Sequence, residues 1–123
     1  MITTSQTLVD GKVNVVVQIN GLCDDGLNES GVVKVDLSEL SDSPIRVKLN
    51  KITGAVNYGI VVLSWSDTPD RTFLILENTV CFCYHEAGGL GNTEDTGNGD
   101  LILSTVGFDT NSNYSLLLEM EKR

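Results

Sequence analysis

The stretch KVNVVVQIN, residues 12–20, decides the fold class. Val13, Val15, Val17 and Ile19 fall on one side of an extended chain, and Lys12, Asn14, Gln18 and Asn20 fall on the other. That is the period-2 pattern of a strand with one face buried. Asp10-Gly11 stands just before it, with Thr7-Leu8-Val9 upstream. Both turn residues tolerate the positive φ of a two-residue hairpin connection, so residues 5 to 19 read as a hairpin.

The alternation recurs along the chain. Val33, Val35 and Leu37 form an inward set, and Ile45-Arg46-Val47-Lys48-Leu49 resumes it, closing at Ile52 after an irregularity at Asn50-Lys51. Gly59 to Trp65 is evenly apolar, as in a strand covered on both faces. Residues 72–76, 80–84, 100–106 and 114–120 complete the series, separated by turn-rich segments such as Asp67-Thr68-Pro69-Asp70. Only the residues around Leu37 to Leu40 suit a short helical turn. The expected fold is one all-β domain over residues 1–123: a single antiparallel β-sandwich of about eight strands, with a jelly-roll as one form it can take. Residues 1–5 are expected as an extended N-terminal arm.

Seventeen acidic against eight basic residues give a net charge of −9, and no lysine or arginine lies between Arg71 and Lys122. Such a surface repels phosphate backbones, which argues against nucleic acid as a partner. No apolar run reaches the ~20 residues of a membrane helix, so no membrane partner is expected. Residues 1–7, MITTSQT, have neither a basic region nor a long apolar segment, and an export signal is not expected there. The odd count of three cysteines, Cys23, Cys81 and Cys83, favours reduced thiols.

The most site-like stretch is HEAGGLGNTEDTGNGDLILST, residues 85–105. It is not a phosphate loop, because no lysine accompanies Gly88, Gly89 and Gly91 and a strand, not a helix, follows. Glu94, Asp95, Asn98 and Asp100 offer hard oxygens for calcium, but their spacing is not that of an EF-hand, and a solvated loop is the simpler reading. Cys81, Cys83 and His85 share one face of a strand, and Cys23 could complete a zinc set; packed free thiols are the simpler account. With a single histidine and no nucleophile elbow, catalysis has little support, so no enzyme activity and no cofactor are expected. Trp65 inside an apolar strand reads as core rather than as a sugar platform with Tyr58.

Read in order, several motifs resemble a known family. They are Thr7-Leu8-Val9-Asp10-Gly11, then Val15-Val16-Val17 with Gly21 and Asp24, then Val32-Val33-Lys34-Val35-Asp36-x-Ser38. Leu63-x-Trp65, Gly88-Gly89-Leu90-x-Asn92, Gly97-x-Gly99-Asp100-Leu101-Ile102-Leu103-Ser104-Thr105-x-Gly107 and Tyr114-Ser115-Leu116-Leu117-Leu118-Glu119 follow. Together they resemble a family of small virion structural proteins of tailed bacteriophages, with departures at Trp65-Ser66-Asp67 and at Cys81-x-Cys83. The resemblance implies a non-enzymatic capsid decoration, or cement, protein on the capsid exterior, made in the host cytoplasm. Its implied partners are the major capsid protein and copies of itself, with a trimer as one arrangement. A neck, tail or fibre-base component is the alternative, and a free calcium- or ligand-binding β-domain a more distant one. The interface candidates are Met1, Ile2, Thr3 and Thr4, suited to augmenting a neighbour's sheet, and Gly88, Gly89, Leu90 and Asn92 in a contact loop.

Overall fold

The computed structural model describes residues 1–91 and 97–123. Among the described residues there are eight strands: β1 (Ile2–Asp10), β2 (Asn14–Leu22), β3 (Val32–Val35), β4 (Val47–Trp65), β5 (Arg71–Cys83), β6 (Leu90–Gly91), β7 (Leu101–Val106) and β8 (Asn113–Lys122). Single 3-10 turns occupy Leu37–Glu39 and His85–Ala87. The fold is all-β and antiparallel, as expected, and its one sheet curls until it is nearly barrel-shaped.

The strand that opens the argument is β2. Val15, Val17 and Ile19 are fully buried, whereas Val13 lies in the connection and is exposed. The reason is the turn. It closes through the Gly11 amide donating to Asn14 O at 2.9 Å, and Asp10 pairs with Val15, so the hairpin spends more residues on its turn than two. Upstream, β1 continues back to Ile2, beyond the expected start at residue 5.

β4 joins two segments expected as separate strands, residues 45–52 and 59–65, into one strand of 19 residues that starts at Val47, leaving Ile45 outside it and exposed. β5 likewise joins residues 72–76 and 80–84. Both bend at the same level, where Tyr58 and Asn78 take positive φ of 62° and 58° and the register shifts between Val56 and Val61. β5 follows one edge of β4, while β8 and then β7 take successive lengths of the other. β4 therefore acts as a bent spine from which β8-β2-β1 and β7-β3 fold over a common core. The expected irregularity at Asn50-Lys51 is a bulge against β8, between Leu49 and Lys51. At the far ends, β1 and β3 come close enough for Ser5 Oγ to donate to Lys34 O at 3.3 Å.

The core is filled from every long strand except β1: Ile19 from β2, Leu116 and Leu118 from β8, Ile52 and Leu63 from β4, Leu76 from β5 and Leu103 from β7. Each such side chain contributes ~1.5–3 kcal/mol on burial. Trp65 is part of this core, stacked on Phe73 with ring centroids 4.3 Å apart and planes 10° apart. Gly54 sits where β4 crosses β8 most closely. Its φ is 143°, and a Cβ there would stand 1.9 Å from Ser115 O, so no other residue fits.

β3 departs from its expected alternation. Val35 is buried, but Val33 is exposed, and Leu37 reaches the core from a 3-10 turn rather than from the strand. A register shift against β7 between Val33 and Val35 breaks the period.

Candidate interface surfaces and a buried charge cluster

The stretch expected as an arm, residues 1–5, is extended but paired with its own chain. Ile2, Thr3 and Thr4 lie opposite Leu22, Gly21 and Asn20 of β2. Met1 packs against the core, and its terminal ammonium sits 2.6 Å from Asp24 Oδ1 and 2.7 Å from Asp25 Oδ2. Those two hydrogen bonds raise the ammonium pKa to about 10. β1 nevertheless has an unusual exposure. Every one of its nine side chains is exposed, including Ile2, Leu8 and Val9, and no ionisable side chain occurs before Asp10.

The second candidate set lies at the opposite corner of the sheet. Gly88 caps the His85–Ala87 turn in a left-handed conformation (φ 91°). Gly89 fits closely against Lys48 and Asn50. Leu90 pairs with Leu49 and packs half-buried on the core, so it holds the loop to its own domain. Asn92 lies outside the described residues. Leu90 connects through Leu49 and Met120 to Val15 and Asp10, whereas Ile2 connects through Leu22 to Asn113 and Asn57. The two sets are thus separated both across and along the strands and do not form one surface.

A third surface was not foreseen. On the outer face of β1, β2, β8, β4 and β5, cross-strand pairing aligns side chains in rows. One row carries Val16, Glu119, Lys51 and Cys83, and beyond it Lys48 pairs with Glu121 at 2.9 Å. The next row is Gln6, Gln18, Leu117, Thr53 and Cys81. Then come Thr4, Asn20, Ser115, Ala55 and Thr79, and last Ile2, Leu22, Asn113 and Asn57. These three rows carry no carboxylate and no basic group. Their polar groups bond mainly to one another. Ser115 Oγ donates to Asn20 Oδ1 at 2.6 Å, Gln18 Nε2 to Ser115 Oγ at 3.1 Å and Asn20 Nδ2 to Thr4 Oγ1 at 3.2 Å. Asn57 Nδ2 donates to Asn113 Oδ1 at 2.9 Å.

The metal candidates are dispersed or otherwise engaged. Cys23 is buried in the core, while Cys81 and Cys83 are exposed on the outer face of β5. His85 opens the turn that follows the strand. Asp100 is buried and accepts from the Leu37 amide at 2.9 Å, and Asn98 Oδ1 accepts from the Asp100 amide at 3.1 Å. Burial raises the Asp100 pKa against that hydrogen bond. Glu94 and Asp95 lie outside the described residues. Among the described residues, no group of three or more His, Cys, Asp or Glu side chains is placed to hold a metal ion. Tyr58 is exposed at the bend of β4, whereas Trp65 is buried.

Sequence reasoning missed the buried charges altogether. Lys34 Nζ lies 2.7 Å from Glu29 Oε2, with both side chains almost fully buried. Tyr114 Oη donates to Glu29 Oε1 at 2.6 Å, and Lys34 Nζ stands 6.0 Å over the Tyr114 ring. Burial first, and Glu29 second, push the Tyr114 phenol far above its ordinary range, so it remains a donor. Gly21 leaves room for that ring; a Cβ there would meet Tyr114 Cε1 at 2.4 Å. Alternation in residues 32–37 placed Lys34 on the solvent side, and only the register shift in β3 turns it inward. The cluster ties the segment after β2, β3 and β8 together. No family model, curated protein or solved structure matches the chain.

Proposed function

We propose that this chain is a non-enzymatic structural protein of a tailed-phage virion, a capsid decoration protein that binds the major capsid protein and copies of itself on the shell exterior. The observation that carries the reading furthest is β1. A nine-residue strand at the end of the sheet exposes all its side chains, several of them apolar, with no proline and no charged side chain before Asp10 among the features that usually protect such strands. A strand of this kind is suited to being covered in an assembly, and symmetric assembly is a common way to cover it. Two further features support the reading. The chain builds a stiff all-β unit with many ladder contacts, and its net charge of −9 disfavours trapping nucleic acid on the outer coat. The motif resemblance supplies the virion setting.

The mechanism would be multivalent: many modest contacts spread over capsomer boundaries hold the shell together more tightly than any one of them. The test is a reconstruction of purified particles combined with quantitative mass spectrometry. The chain is expected on the capsid lattice in fixed proportion to the major capsid protein. Absence from the lattice, or the stoichiometry of a neck or tail ring, overturns the decoration role.

A further inference from the structure

We propose that the uncharged end of the outer sheet face is a contact surface between two copies of this chain. The inference deepens the assembly reading above and rests on it for its setting. The physical case comes from charge, solvation and area.

Charge is the first consideration. At −9, two copies repel one another wherever acidic surfaces meet. Three adjacent rows, two of five strands and one of four, carry no ionised group; Lys48, Lys51, Glu119 and Glu121 lie at one end of the face, and exposed Glu77 of β5 and the ion pairs of Met1 with Asp24 and Asp25 border the other. A partner rich in acidic or basic groups would find nothing within the rows to pair with. A second copy of the same rows meets no like charge inside them.

Solvation points the same way. Exposed Asn, Gln, Ser and Thr side chains ordinarily bond to water, and covering them costs those bonds. Here Gln18, Asn20, Ser115 and Thr4 already satisfy one another across β1, β2 and β8, as Asn57 and Asn113 do across β4 and β8. That network lowers the desolvation cost of contact and fixes the rotamers in advance. Ile2, Leu22 and Leu117 supply apolar area between the amides.

The area fits a weak, reversible contact. Laid flat, rows of five, five and four strands at ~4.8 Å, spaced ~6.7 Å apart, cover about 450 Å² of sheet, or about 900 Å² over two copies. That falls in the range of weak or transient interfaces. Ser115 lies on the third of the five strands in the middle row, which places it close to the twofold axis of an isologous contact.

Sedimentation equilibrium of the purified full-length chain tests this. The wild type is expected at twice the chain mass, with an association that does not weaken between ~0.1 M and ~1 M salt, because no ion pair crosses the contact and salt screens the repulsion between the acidic copies. Ser115→Glu and Ser115→Lys are each expected to weaken association at least tenfold while keeping the melting temperature. Mixing the two variants is expected to restore it, because opposite charges then meet near the axis. Thr110→Glu, an equal charge change on an exposed loop, is expected to behave as wild type. A wild type that stays monomeric, a Ser115 variant that associates normally, or a mixture that fails to recover would each overturn the proposal. A chain that dimerises as described yet is absent from particles keeps this interface and removes the virion role instead.

Discussion

Replacing Lys34 by methionine isolates the energetics of the buried cluster. The substitution keeps most of the aliphatic stem and deletes the ammonium 2.7 Å from Glu29 Oε2. Glu29 is then a buried carboxylate that still accepts a hydrogen bond from the Tyr114 hydroxyl at 2.6 Å. Removing one partner of a buried pair typically costs ~3–5 kcal/mol. The hydroxyl bond to a charged acceptor retains ~1.5–3 kcal/mol, so the expected loss lies at the low end, about 3 kcal/mol. For a domain of this size that is a fall in melting temperature on the order of 10 °C. Adding Glu29→Gln removes the second charge and leaves an amide that still accepts from Tyr114. Neutral replacement of a buried pair is often close to free, so the double variant is expected to recover about 2 kcal/mol relative to Lys34→Met alone. Guanidinium unfolding followed by the fluorescence of Trp65, which is buried and the single tryptophan, measures Lys34→Met, Glu29→Gln and the double variant. A loss below ~1 kcal/mol for Lys34→Met would show that the pair is hydrated rather than buried, since exposed pairs contribute ~0–1 kcal/mol. A double variant as unstable as the sum of the singles would show that the two side chains do not interact.

Gly54→Ala is expected to abolish folding or to cost more than ~4 kcal/mol, because the new Cβ meets backbone rather than a yielding side chain; soluble, native-like protein from this variant would refute the close crossing of β4 and β8. Asp10 accepts from Lys122 Nζ at 2.7 Å and from the Ser41 amide and hydroxyl, which lower its pKa from 3.8 to about 2. A depressed folded-state pKa stabilises above the ordinary value and is lost as pH falls through the folded one. Asp10→Asn is therefore expected to flatten the stability profile between pH 4 and pH 2, and an unchanged slope in acid titration of the melting temperature would refute the contact. Under native conditions a thiol reagent is expected to label Cys81 and Cys83 rapidly and Cys23 only on unfolding, as peptide mass mapping will show; prompt modification of Cys23 would contradict its burial.

The sequence by itself determined what depends on neighbours along the chain. Alternation in residues 12–20 put Val15, Val17 and Ile19 inside, because the strand period of two is a property of extended backbone alone. The same logic placed the bulge at Asn50-Lys51, recognised Trp65 as core and excluded a helical fold. Tertiary structure decided everything that depends on which strand lies beside which. Whether residues 47–65 are one strand or two is settled by β5 running along both halves, a pairing between segments distant in sequence. Val33 is exposed and Lys34 buried because β3 slips one position against β7, and a one-residue slip exchanges the faces of a strand. The neutral face likewise exists only after pairing has brought Thr4, Asn20 and Ser115 into one row. Residues so far apart in the chain share no local pattern, and only the ladder makes them neighbours.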